Sequence, residues 1–322
     1  MTLHPNLRPQ RIDRRGADWS LIADVLRGLK STPKHLSPTY FYDERGSQLF
    51  DRICTVPEYY VTRTETGILA DNAVPIAGRI GEDSLLVELG SGASTKTRLL
   101  LERLPQLSGY VPVDISRRHL LEAAQRVADS YPHIEVLPVC ADFTQAFPLP
   151  RPRREPARVV VFFPGSTIGN FDPPAAIDLL RAMRTTAGAG GALLIGYDLV
   201  KERDVLERAY NDAAGVTAAF NLNVLARLNR ELGADFDLSK FTHEAVWLPA
   251  HSRVEMRLVS TCAQDVTIAG EAISFACAER LVTEHCHKYT PGSFARLAGA
   301  AGWKPAQTWT DAQGYFNVQY LD

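Results

Sequence analysis

Four apolar, strand-like runs each end on residues that could do chemistry. Residues 85–89 lead into Gly90-Ser91-Gly92-Ala93-Ser94-Thr95-Lys96. Glycines there let the backbone come close to a ligand, and the start of a following helix favours negative charge. Residues 110–113 lead directly into Asp114, whose carboxylate can accept from both hydroxyls of a ribose. Residues 134–139 lead into Ala141-Asp142-Phe143, an acid able to accept from an adenine amino group beside a ring that can hold the base. Residues 159–163 end in the polar turn Pro164-Gly165-Ser166-Thr167-Ile168-Gly169-Asn170-Phe171, suited to a small polar acceptor. Taken singly, each is an ordinary helix cap or loop acid; their order and spacing argue for a nucleoside-bearing cofactor. A dinucleotide fingerprint wants a third glycine at position 95, where Thr95 stands, which disfavours NAD. The ribose acid serves NAD and S-adenosylmethionine alike.

These stations need a rigid frame. The runs at 85–89, 110–113, 134–139, 159–163 and 192–196 alternate with helical spacing at 97–104, 117–130 and 174–186. Near-continuous apolar strands separated by helices predict an α/β doubly wound, Rossmann-like parallel sheet, with its ligand at the carboxyl ends of the strands. From 201 to 231 the pattern is helical; at 245–248, 252–262 and 272–289 it alternates as in antiparallel strands. A helix at 292–301 and strands near 307–310 and 315–321 return to the main sheet. The expected division is a discontinuous core at 63–199 and 288–322, and a second α+β domain from 1–62 and 200–287.

Composition narrows the partners. The chain has 322 residues, 45% hydrophobic and 22% charged, as in folded globular proteins. Its 35 Lys+Arg against 37 Asp+Glu leave a net charge of −2, no field for nucleic acid or anionic lipid. Cys54, Cys140, Cys262, Cys277 and Cys286 are scattered without C-x-x-C spacing, so neither a disulfide framework nor structural zinc is indicated and a cytoplasmic protein is expected. The polar opening at 1–15 lacks a secretory apolar stretch, and no run reaches membrane-spanning length. The four arginines within 8–15 read as a surface arm, and the cluster Arg151, Arg153, Arg154 as a solvated loop.

Several runs together resemble the histidine Nα-methyltransferase family of ergothioneine biosynthesis, whose members convert histidine to its betaine, hercynine. They are Phe41-Tyr42-Asp43-Glu44-Arg45-Gly46-Ser47-Gln48-Leu49-Phe50, Pro57-Glu58-Tyr59-Tyr60-Val61-Thr62-Arg63-Thr64-Glu65, the glycine turn, 164–170, Tyr210-Asn211-Asp212, Phe220-Asn221-Leu222-Asn223, Val254-Glu255-Met256 and Thr283-Glu284. The first two are the most specific, because an ordinary methyltransferase has no counterpart to them. The resemblance implies a methyltransferase core, a substrate domain made from the amino-terminal segment and an insertion, S-adenosyl-L-methionine as cofactor and a free amino acid as partner; a monomer is expected.

It further implies that Gly90, Lys96, Asp114, Asp142 and Phe143 hold the cofactor. Tyr60, Gly165, Asn170, Tyr210, Met256, Glu284 and Cys286 would line the amino-acid site, with Tyr42 and Asn170 accepting from the reacting amine and Tyr60 and Tyr210 binding the carboxylate. A sulfonium methyl needs only a neutral amine lone pair, so positioning outweighs strong base catalysis. Tyr59 reads as packing. Glu284 can accept from an imidazole N–H, and residue 286 shares its face of an extended strand. The family commonly has serine at 286; the thiol here is a weaker partner, so imidazole recognition is expected to differ there. His285 and His287 fall on the opposite face from Cys286, which argues against a metal. The alternatives are an Nα-methyltransferase of tryptophan, tyrosine or a derivative, a nicotinamide-dependent oxidoreductase, a nucleic-acid or protein methyltransferase, and a non-catalytic binding module.

Overall fold

In a computed structural model, residues 5–9, 17–92 and 94–322 are described. The arm expected at 8–15 lies outside them apart from 8 and 9, as does Ala93 of the glycine turn. The chain forms two compact units. The first holds 5–9, Val61–Val200 and Lys288–Asp322, and the second holds the remainder up to Tyr60 together with Lys201–His287.

The first unit is built on seven strands among the described residues: β1 (Ser84–Leu89), β2 (Gly109–Asp114), β3 (Val139–Cys140), β4 (Arg158–Phe163), β5 (Ala192–Asp198), β6 (Pro305–Thr310) and β7 (Phe316–Leu321). They lie in the order β6-β7-β5-β4-β1-β2-β3. β7 runs antiparallel to both β5 and β6, and the pairings from β5 to β3 are parallel. All six residues of β1 are buried, which explains why that run shows no alternation. The helix Arg117–Ser130 buries Leu120, Ala123, Ala124, Val127 and Ala128, the 3- and 4-residue spacing that marks one face.

Two expectations that touch the first unit are corrected. The strand expected at 134–139 is ladder-paired only at Val139–Cys140, while Val136 makes isolated bridges to Tyr110 and Leu7. Residues 5–9, expected in the second domain, lie with the first unit instead. Buried Leu7 bridges Val136, and Arg8 pairs with Glu135 at 2.7 Å.

In the second unit a four-stranded sheet runs Lys34–His35, Arg280–His287, Arg253–Ser260, Phe241–Leu248. The stretch expected as one strand at 272–289 is split: Glu271–Phe275 pairs with Gln264–Ile268 as a separate hairpin. The helical stretch at 201–231 breaks into Arg203–Ala209 and Val216–Leu232. Asp212 caps the second of these by accepting from the N–H groups of Val216 (2.8 Å) and Thr217 (2.7 Å). A register shift between Val282 and Glu284 leaves Thr283 as a bulge. It sets Glu284 opposite Met256 and Cys286 opposite Val254, so all four share one face. The other face carries an ion ladder, in which Glu255 accepts from Arg257 at 2.7 Å and Arg253 at 2.8 Å. His285 is the largest cause holding the Glu255 carboxyl down at about 2, and the two arginines add to it.

Candidate active site

At β1 the strand order of the first unit reverses, and such a reversal opens a crevice at the carboxyl ends. The turn there needs its glycines: Gly90 has φ +69° and Gly92 φ +48°, a region that burdens other residues. Gly90 and Ser91 donate to the Val113 carbonyl at 2.9 and 3.1 Å. Asp114 accepts from Gly92 N–H at 3.0 Å through Oδ2 and from Ser116 N–H at 2.8 Å through Oδ1. Each oxygen retains acceptor capacity, so the carboxylate is aimed yet able to take two ribose hydroxyls. A side chain on Gly90 would stand 3.6 Å from the Phe143 ring, which puts turn and ring on one space. Phe143 is itself held edge-on to Phe163, with centroids 5.4 Å apart. Asp142 is oriented by Thr144, whose N–H and hydroxyl donate to Oδ1 at 3.0 and 2.7 Å. An aimed carboxylate, a cradle without Cβ and an adjacent ring fit an adenosyl cofactor.

Beneath the turn lies an acid that the periodicity reading passed over. Glu88 is 1% exposed; it accepts from the Tyr110 hydroxyl, which lies 3.0 Å from Ser94 Oγ. Burial pushes its carboxyl up to about 7 from 4.5, although the Tyr110 bond and Lys96 pull the other way. The folded state therefore binds the extra proton between those two values. This contribution to stability is complete below the unfolded pKa and is lost as pH rises through the folded one. Relative to wild type, Glu88→Gln is expected to gain up to about 3 kcal/mol in unfolding free energy between pH 4.5 and 7. Denaturant unfolding at pH 5 and pH 8 checks this, and a pH-independent difference would contradict it.

At the end of β4, Gly165 (φ +83°) and Ser166 (φ +57°) are consecutive left-handed residues. Ser166 Oγ accepts from Asp198 N–H at 3.0 Å, and the Thr167 hydroxyl donates to the Pro164 carbonyl at 2.9 Å. The 3-10 turn Thr167–Asn170 then carries Asn170 as its last residue. A Gly165 side chain would stand 3.6 Å from Lys96 Nζ, so the structure brings Lys96 and Gly165 together.

In the second unit Asp43 explains the run around Tyr42. It caps the helix Glu44–Ile53 by accepting from Gly46 N–H at 2.6 Å, and it also takes Asn223 Nδ2 at 2.9 Å and Arg230 at 2.6 Å. Burial works against its charge, but these three donors win and hold the carboxyl below its usual range. A side chain on Gly46 would collide with the Phe41 carbonyl. Tyr42 is thereby set edge-on to Phe50 (5.8 Å) and Phe220 (5.9 Å). Tyr59, read from the sequence as packing, is buried and stands edge-on to Phe50 at 6.4 Å. Its ring stands edge-on to Tyr210 at 6.0 Å. Burial first, then Cys54, Cys286, Tyr42 and Glu284, push its hydroxyl well above the ordinary value.

Cys286 Sγ donates to Glu284 Oε2 at 3.3 Å, and Met256 faces Glu284 across the ladder. Tyr60 lies at the start of its helix, and its hydroxyl accepts from Lys201 Nζ at 2.6 Å. His243 Nε2 donates to the Tyr210 carbonyl at 2.8 Å while Nδ1 accepts from Asn221 at 2.8 Å. Burial lowers the pKa of this imidazole, consistent with the neutral tautomer those bonds require.

Tyr210 thus packs edge-on to Tyr59, Met256 and Cys286 lie beside Glu284, and Gly90, Asp114, Phe143, Lys96 and Gly165 gather at the sheet's reversal point. Sequence reasoning missed Glu65, Glu88, Lys201 and His243. Two had a signal: Glu88 is an acid inside a continuous apolar run, and Glu65 sits four residues after Val61 and three before Ile68, on an apolar helix face.

Comparison with known proteins gives a consistent result. The family described as histidine-specific methyltransferase, SAM-dependent, matches residues 21–322. The histidine N-alpha-methyltransferase of Mycolicibacterium smegmatis is 44% identical over 305 residues, covering 93% of this chain and 94% of that protein. That of Mycobacterium tuberculosis is 42% identical with the same coverage. Ergothioneine biosynthesis protein 1 of Neurospora crassa is 30% identical over 89% of this chain, which spans 33% of that longer protein. Among the described residues no helix is long and apolar enough to cross a membrane.

Proposed function

Since the chain belongs to the SAM-dependent, histidine-specific methyltransferase family, we propose that it methylates the α-amine of free L-histidine up to three times, giving hercynine for ergothioneine biosynthesis. Near-complete, two-way coverage of the mycobacterial enzymes at 44% and 42% identity carries this reading. The cofactor supplies an electrophilic methyl group on a sulfonium. The chain's residues then have to bind, orient and exclude water.

In this reading the first unit holds the cofactor: Asp114 takes the ribose, Asp142 and Phe143 the adenine, and Gly90 and Lys96 the methionyl end. Gly165 shapes the amine side. Asn170 and Tyr42 accept from the amine and aim its lone pair, and Tyr60 and Tyr210 bind the carboxylate. Glu284 accepts from the imidazole N–H, with Met256 and Cys286 beside it. A cytoplasmic location agrees with the scattered cysteines.

Mass spectrometry of a panel of free amino acids incubated with S-adenosylmethionine tests the reading. Stepwise methyl gains on histidine are expected, and turnover of tryptophan or tyrosine in preference to histidine would overturn the substrate. Cys286 is the observation that favours keeping this second outcome in the panel. Its thiol is already committed to Glu284 and is a weaker partner than a hydroxyl. Cys286→Ser is expected to keep or lower the KM for histidine, by up to about fivefold for one improved hydrogen bond. A large rise in KM would show that the thiol serves a different side chain.

A further inference from the structure

Glu65 belongs to the first unit, within the helix Tyr60–Asp71, and its side chain is 0% exposed. Both carboxylate oxygens accept from Gly165 N–H, at 3.0 and 2.8 Å, and Oε2 also pairs with the Lys96 ammonium. The fold reserves room for this group. A Cβ on Gly196 of β5 would collide with Glu65 Oε1, and the same atom would stand 2.9 Å from the Phe316 ring. Burying a carboxylate is costly, and here the cost is offset by the Gly165 N–H and the Lys96 ammonium that it satisfies. Those two groups belong to the turn after β4 and to the glycine-turn segment, so the acid ties one to the other.

We propose that Glu65 is a positioning residue for methyl transfer. It clamps the left-handed Gly165-Ser166 turn onto Lys96 and so fixes where the segment ending in Asn170 stands relative to the glycine turn. The proposal rests on the reading above, in which Lys96 belongs to the cofactor and Gly165 and Asn170 to the amine. Gly165 takes its left-handed shape freely, but Ser166 keeps one only when the surroundings impose it. The Glu65 carboxylate supplies that restraint from the N-terminal side, and Ser166 Oγ, accepting from Asp198 N–H at 3.0 Å, supplies it from the other. Small displacements of a positioning segment are expensive for transfer and cheap for binding. The glycine turn and its bond to Asp114 are untouched by the change, so cofactor affinity should change little.

Glu65→Gln retains the size of the side chain and one acceptor oxygen but removes the anion. Gly196→Ala pushes on the same carboxylate from the opposite side. Each full-length variant is measured for kcat and KM with histidine, for S-adenosylhomocysteine affinity by calorimetry, and for its thermal midpoint. Both are expected to lose about tenfold or more in kcat, with KM and cofactor affinity within about threefold of the parent. An unchanged kcat in Glu65→Gln overturns the proposal, as does a loss of cofactor affinity that matches the loss in kcat/KM. Unfolding of both variants would assign Glu65 to stability and overturn it too. Failure of the substrate reading looks different: the parent protein would then leave histidine unmethylated, and the same comparison is made on the amino acid it does methylate.

Discussion

Replacing Glu284 by alanine is expected to lower kcat/KM for histidine by about a thousandfold while leaving affinity for S-adenosylhomocysteine within about threefold. Glu284 is 8% exposed, and the bulge at Thr283 turns it to the face shared with Met256 and Cys286. An imidazole that donates to a buried carboxylate gains a charge-assisted bond. Taking the carboxylate away loses that bond and leaves the ring's N–H dry and unpaired. Sites built around such a bond discriminate by several orders of magnitude. Cys286 also loses its acceptor, since its thiol donates to Glu284 at 3.3 Å, and a thiol cannot replace the carboxylate's charge. Glu284→Gln should fall between the two, because an amide oxygen still accepts but without the charge. Steady-state kinetics and calorimetry on the same preparations decide the matter. Equal losses of turnover and cofactor affinity would remove Glu284 from the imidazole site.

The parts of this molecule that were legible in its sequence are those in which chemistry is local. Asp114 is the last residue of β2, and its bonds to Gly92 and Ser116 stay within the two turns that the apolar runs already define. Four of the five parallel strands, those read at 85–89, 110–113, 159–163 and 192–196, announced themselves by burial, since a strand covered on both faces has no polar side to show. What stayed hidden needed a partner strand or a distant loop. Alternation along 280–287 cannot reveal the bulge at Thr283, because a register shift exists only against Met256 and Arg257 of the neighbouring strand. The placing of Leu7 depends on Val136, far along the chain. Glu65 meets Gly165 across a separation of 100 residues, and neither helical spacing nor the turn's composition points from one to the other. Tyr59 reads as packing from the sequence and is buried, but its ring partners Phe50 and Tyr210 come from separate stretches that no local pattern joins.

Asp114→Ala is expected to weaken S-adenosylhomocysteine binding by about a hundredfold, the loss of two hydrogen bonds to an ionised acceptor at roughly 1.5 kcal/mol each. The isosteric Asp114→Asn should be little better. In the parent, one oxygen accepts from Gly92 N–H and the other from Ser116 N–H. An asparagine must offer its NH2 to one of those two donors, so whichever way the amide turns, donor faces donor. The variant either releases the Gly92 turn or frees the start of the following segment, and it has at most one oxygen left for a ribose hydroxyl. Glutamate at 114 keeps the charge but moves it one methylene deeper into the crevice, and it should lose affinity as well. Calorimetry on ligand-stripped protein measures all three, with the thermal midpoint of each variant taken without ligand to separate turn loosening from lost contacts. If asparagine binds within threefold of the parent, charge and double acceptance at 114 are not what hold the ribose. The carboxylate would then be a brace for the glycine turn, and the cofactor's grip would have to come from Phe143, Asp142 and Lys96.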